Sequence, residues 1–104
     1  MDRRPPYTEL SISAASSGDN TLIPAVSNHV LEIFKIWFVV ASDVTIVFKH
    51  GSTAYDGPVT MKAGGSFVLD EGEHPWFGTA VNEAFILNLS GAVQVSGRIY
   101  YRNP

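Results

Sequence analysis

Residues 30–41 read Val-Leu-Glu-Ile-Phe-Lys-Ile-Trp-Phe-Val-Val-Ala, the most apolar window of the chain. β-Branched and aromatic side chains dominate it, and these suit a pleated, largely buried surface. The stretch predicts the central strand of an all-β domain. Phe34, Ile36, Phe38 and Val40 fall on one face by alternation, and Lys35, Trp37 and Val39 on the other. Strict alternation would also place Glu32 on the Phe34 face. If Leu31 and Ile33 point to the core instead, the phase must switch between Ile33 and Phe34, which a β-bulge achieves by setting two residues opposite one. The alternative is a strand covered on both faces, with a second chain over Trp37 and Val39.

The flanking sequence extends the pattern. Residues 7–14 alternate with Leu10, Ile12 and Ala14 on one face. Ser16-Ser17-Gly18-Asp19-Asn20 reads as a turn, and residues 21–26 as a strand that Pro24 confines to an edge or breaks. Ser27-Asn28-His29 is the next turn. Beyond the central stretch, Ser42-Asp43 is a tight connection and residues 44–49 alternate, so a hairpin between the two is expected. Shorter runs follow at 53–55, 59–61 and 66–69, then Trp76-Phe77, 85–89 and 93–101, with Gly, Pro, Asn and Asp between them. No segment holds a helical period over ten residues. About eight short antiparallel strands predict a β-sandwich or jelly roll, with an immunoglobulin-type topology lacking its cysteines as the alternative. Residues 1–6, with Pro5-Pro6, form a short extended arm, and residues 7–104 the domain.

At 104 residues the chain makes one domain, large enough to bury a core without staples. Charged residues are 16% against a usual ~25%, which suits an interaction surface. The net charge of −3 and the lack of a basic stripe argue against nucleic acid. With no cysteine there is no thiol catalysis, disulfide or thiolate metal site. The apolar run is too short for a bilayer-spanning helix, and the N-terminus does not read as a secretion signal, so no membrane partner is expected.

Chemistry-bearing candidates are few. His29, His50 and His74 fall in three separate expected turns, and solvated loop histidines are the better reading than a metal site. Asp70-Glu71-Gly72-Glu73-His74 is rich in oxygen ligands but lacks the spacing of a known calcium loop. No nucleophile elbow, paired-carboxylate cleft or phosphate loop is present. The chain reads as a non-enzyme without cofactor. Its aromatics are more informative. Phe34, Phe38, Phe48, Phe67 and Phe85 suffice for a small core, which leaves Trp37, Tyr55, Trp76, Phe77, Tyr100 and Tyr101 over. Lys35, Trp37 and Tyr100 are the candidate subunit interface. Tyr55, Trp76 and Phe77 are an alternative platform for a glycan or receptor in a fibre- or tail-type domain.

Ser17-Gly18-Asp19-Asn20-Thr21, Phe48-Lys49-His50-Gly51-Ser52-Thr53, Ala63-Gly64-Gly65, Pro75-Trp76-Phe77 and Leu87-Asn88-Leu89-Ser90 form a layout, with Ala92-Val93-Gln94-Val95-Ser96-Gly97 after it. It resembles small β-sandwich structural proteins of tailed bacteriophages, the capsid decoration or cement proteins. The resemblance spans roughly residues 10–101. It implies a virion protein, made in the host cytoplasm, that binds the major capsid protein at the capsid surface and bridges capsomers as a homotrimer. Arg3, Arg4 and Tyr7 would then carry the capsid contact. The family pattern has small or modest residues where this chain has Lys35 and Trp37, which favours a chain-specific contact there.

Overall fold

A computed structural model describes residues 7–70 and 75–103. It is all-β: β1 (Thr8–Ala14), β2 (Gly18–Ile23), β3 (Glu32–Val40), β4 (Val44–His50), β5 (Thr53–Ala54), β6 (Val59–Met61), β7 (Ser66–Asp70), β8 (Phe77–Gly78), β9 (Phe85–Leu89) and β10 (Val95–Arg102). Two antiparallel sheets pack face to face as a β-sandwich. The first has the order β1-β10-β3-β7, with β8 also on β3. The second has the order β2-β9-β4-β5, with β6 also on β4.

Strand β3 is central to the first sheet, as its composition predicts, with β10 on one side and β7 and β8 on the other. Ile33, Ile36, Phe38 and Val40 are fully buried. Each contributes about 1.5–3 kcal/mol by leaving water. From the second sheet Val44, Ile46 and Phe48 of β4 and Phe85, Leu87 and Leu89 of β9 close the same core.

The phase switch is real. Opposite β10, Lys35 pairs with Tyr100 but Ile33 pairs with Tyr101, so Phe34 is the extra residue of a bulge. The bulge takes Phe34 out of the core row in which strict alternation had placed it. Phe34 is buried, but away from the main cluster. The Tyr7 ring lies 5.1 Å from it and the Arg102 guanidinium 4.7 Å above it. An aromatic residue inside an apolar strand reads as core. The bulge and the Arg102 cover make it a cation–π contact instead.

The expected hairpin between residues 30–41 and 44–49 does not form. Strands β3 and β4 lie in different sheets, and Ser42-Asp43 carries the chain across the sandwich. Alternation reports which residues face the core, and it is the same whether the next strand pairs alongside or packs opposite. Strand β2 is also displaced from expectation: it begins at Gly18, inside the serine-rich cluster, and ends before Pro24. The Asn20 side chain makes this possible. Its Nδ2 donates to Ser16 O (2.8 Å) and Gly18 O (3.1 Å), closing the turn from the strand itself. The turn at Asn28 appears as predicted; Asn28 and Asn82 both have φ near +65°, and the Asn28 N–H donates to Asn82 Oδ1 at 2.6 Å.

Candidate functional site

The outer face of the first sheet is built by cross-strand register. Trp37 on β3 sits between Arg98 on β10 and Val68 on β7; Val39 sits between Ser96 and Ser66; Lys35 sits between Tyr100 and Asp70. Directly opposed residues bring their Cβ atoms to about 5 Å. Trp37 (39% exposed), Val39 (40%) and Val68 (61%) therefore form one apolar patch near the middle of the sheet. Serines flank it on both sides. Charges surround it already paired: Lys35 Nζ is 3.7 Å from Asp70 Oδ2 and Arg98 Nη1 is 3.6 Å from Glu9 Oε1. Lys35 Nζ also lies 5.4 Å from the Tyr100 ring centroid. Such exposed pairs add little to stability. What they do is neutralise the rim of an apolar centre.

The outer face of the second sheet differs. Lys49 Nζ donates to both Asp19 oxygens at 3.0 Å, and Asn88 Nδ2 donates to Asp19 Oδ1 at 2.7 Å. These bonds, the Asn88 one first, hold the Asp19 carboxyl below its ordinary value. That face is self-satisfied, and the first sheet's is not.

Of the expected interface residues, Trp37, Lys35 and Tyr100 all lie on the open face. Val68 was not anticipated, although Phe67 and Leu69 on either side point inward and alternation turns it out. Of the expected arm residues, Arg3 and Arg4 lie outside the described residues, as does the rest of the arm (1–6). Tyr7 packs on Phe34 at the edge of the first sheet.

The alternative platform does not assemble. Phe77 is a core residue at 9% exposure. Tyr55 packs on the core with its hydroxyl donating to Gly78 O at 2.6 Å, and its ring is tilted 52° from that of Phe77. Burial, and then the charge of Glu83, push the Tyr55 phenol above its ordinary range. Only Trp76, at 47%, is exposed, so there is no coplanar stacking surface.

Two histidines are described. The His29 backbone carbonyl accepts from Asn82 N–H at 3.1 Å. His50 ends β4 rather than lying in a turn, and its Nδ1 donates to Glu83 Oε1 at 2.5 Å. That bond, followed by the Ala80 backbone N–H, lowers the Glu83 carboxyl from its ordinary value. The pair clasps the turn at residues 80–83 to the end of β4. Among the described residues no group of three or more His, Asp or Glu could hold a metal ion. Residues 71–74 of the acidic loop lie outside the described residues.

Fold and face together define an antiparallel two-sheet β-sandwich with one side on which Asp19, Lys49 and Asn88 bond to one another and one open, partly apolar side. No protein-family model and no curated protein sequence matches the chain. Among solved structures it is similar to a chain from Bacillus endospore appendages, described as forming a novel family of disulfide-linked pili. The TM-score is 0.53 with 14% identity, over 91% of this chain and 82% of that one. The likeness is one of fold. This chain has no cysteine with which to form a disulfide link.

Proposed function

We propose that this protein is a non-catalytic structural subunit that works by assembly. The observation that carries the reading is the open face of the first sheet, where Trp37, Val39 and Val68 stay exposed inside a rim of paired charges. A large aromatic residue left in water at the centre of a sheet is a typical anchor of a protein–protein contact. The fold likeness to an appendage protein supports a structural role in general terms.

In the particular form that the phage resemblance implies, the chain is a capsid decoration protein. It self-associates as a homotrimer through Lys35, Trp37 and Tyr100. It binds the major capsid protein at the virion surface, with Arg3, Arg4 and Tyr7 reaching the capsid. Weak contacts repeated by symmetry suit that role, because avidity multiplies them.

Two measurements test this. Sedimentation equilibrium should show a concentration-dependent oligomer that Trp37→Ser reduces to monomer. Cosedimentation with undecorated capsids should show binding that is weakened when residues 1–6 are removed. A monomer at every concentration overturns the trimer. Lack of capsid binding by the wild-type chain overturns decoration while leaving assembly by the open face standing.

A further inference from the structure

Among the described residues the sandwich is open on one side, between β7 of the first sheet and β6 of the second. Strand β6 has three residues and β5 two, too few to cover the facing edge of the first sheet. A cleft of about 270 Å3 remains there, lined chiefly by Phe48, Phe67, Phe77, Trp76, Val59 and Asp56.

Its lining is unusual for a packing gap. The Phe48 ring centroid is 5.1 Å from that of Phe67 and 4.9 Å from that of Phe77, so the three rings pack against one another along one wall at tilts of 51° and 37°, with Phe67 the most exposed of them. Phe67 points inward but stays half-exposed to the cleft. The Trp76 ring borders it, and among the described residues no other ring packs on Trp76. Among the described residues of the lining, Asp56 is the one ionisable residue and no basic residue joins it. Aromatic faces carry negative partial charge and attract cations, most strongly where water is partly excluded. A carboxylate at the same opening adds to that preference. A cavity of about 150 Å3 takes a benzene ring, so the cleft has room for a ring with a small charged head.

We propose that this cleft binds a small organic cation, an aryl- or alkylammonium of about ten non-hydrogen atoms, with its apolar body against Phe67 and Trp76 and its ammonium toward Asp56. This site is independent of the open sheet face and of the assembly role.

The chain has two tryptophans, so in the Trp37→Phe variant indole emission reports Trp76 alone. Titration of that variant with benzyltrimethylammonium should change the emission saturably. Phenylmethanesulfonate, an aryl body of opposite charge, should bind at least about tenfold more weakly. Asp56→Asn should weaken the cation about threefold or more. Val59→Phe, which fills the opening with a ring silent in this assay, should abolish binding while its thermal unfolding stays near that of the parent. The proposal is overturned by the absence of a saturable response up to about 10 mM cation. Equal affinity for cation and anion overturns it too, as does unchanged binding in a folded Val59→Phe protein.

Discussion

Gly97 lies in the middle of β10, paired with Phe38 on one side and Ile12 on the other. A Cβ built there would fall inside the van der Waals envelope of Trp37 O, 2.6 Å from Phe38 Cα and 2.8 Å from Phe38 Cβ. These obstacles belong to the β3 backbone and the root of a fully buried side chain, so no rotamer change removes them. In Gly97→Ala, β10 and β3 must part by about 1 Å. That overpacking costs about 1–3 kcal/mol. Stretching two neighbouring ladder hydrogen bonds costs about 1 kcal/mol each. The reduced freedom of the unfolded chain offsets about 0.5 kcal/mol. The net loss is about 3 kcal/mol, a large part of the ~5–15 kcal/mol that holds a domain folded. Urea unfolding followed by far-UV circular dichroism should show the loss, and thermal unfolding a fall in Tm of about 12–24 °C. Gly91→Ala is the internal control: no heavy atom lies within 4 Å of its added Cβ, and its stability should stay within about 0.5 kcal/mol of wild type. A Gly97→Ala protein within about 1 kcal/mol of wild type would refute the reasoning, because the close approach of β10 and β3 would then be readily relaxed.

Three further outcomes follow from local bonding. Thr79 is buried; its Oγ1 accepts from the Leu31 N–H at 2.9 Å and donates to Ala80 O at 3.0 Å, so Thr79→Val should cost about 1–3 kcal/mol in urea unfolding while Thr79→Ser costs less. Glu83 has its carboxyl held below the ordinary 4.5, so the folded state binds fewer protons than the unfolded state; its stabilisation is present above 4.5 and lost as pH falls through the lowered value. The stability gap between wild type and Glu83→Gln should therefore shrink as pH is lowered from neutrality toward about pH 3, and a gap that does not vary with pH would count against the His50–Glu83 clasp. Trp37→Ser should change monomer stability by less than about 1 kcal/mol, since the ring is already part-exposed, while abolishing self-association in sedimentation.

Much of this architecture is legible in the sequence, because period-2 alternation is a direct record of which side chains face the core. The buried row Ile36, Phe38, Val40 and the outward row Lys35, Trp37, Val39 can be read from it; the phase switch at Ile33 and Phe34 stands there only as one of two alternatives, and the register opposite β10 decides for it. Pairing partners cannot. Nothing in the residues of β3 and β4 states that Ser42-Asp43 crosses between sheets instead of reversing within one. Phe34 and Phe77 mark a second limit: an aromatic residue is equally at home in a core, under an arginine or on a surface, and neighbours distant in sequence decide. The open face was visible through Trp37. The cleft was not, because it depends on how far β5 and β6 fall short of β7.

The pairing of β10 between β1 and β3 has a consequence for how the molecule is made. Thr8 meets Tyr101 and Val40 meets Val95, so β1 and β3 both wait for β10 before either gains its shared neighbour. A growing chain that has emerged only as far as β9 can join β2, β9 and β4, but the first sheet still lacks the strand that joins β1 to β3. The apolar β3 must then remain partly uncovered until residues 95–102 leave the ribosome. Completion of the first sheet consequently waits for β10 and is dominated by non-local pairing, the slow regime in which folding takes about milliseconds to seconds. Pulse-labelling hydrogen exchange on stalled chains of increasing length should find the β3 amides that face β10 unprotected until β10 has emerged.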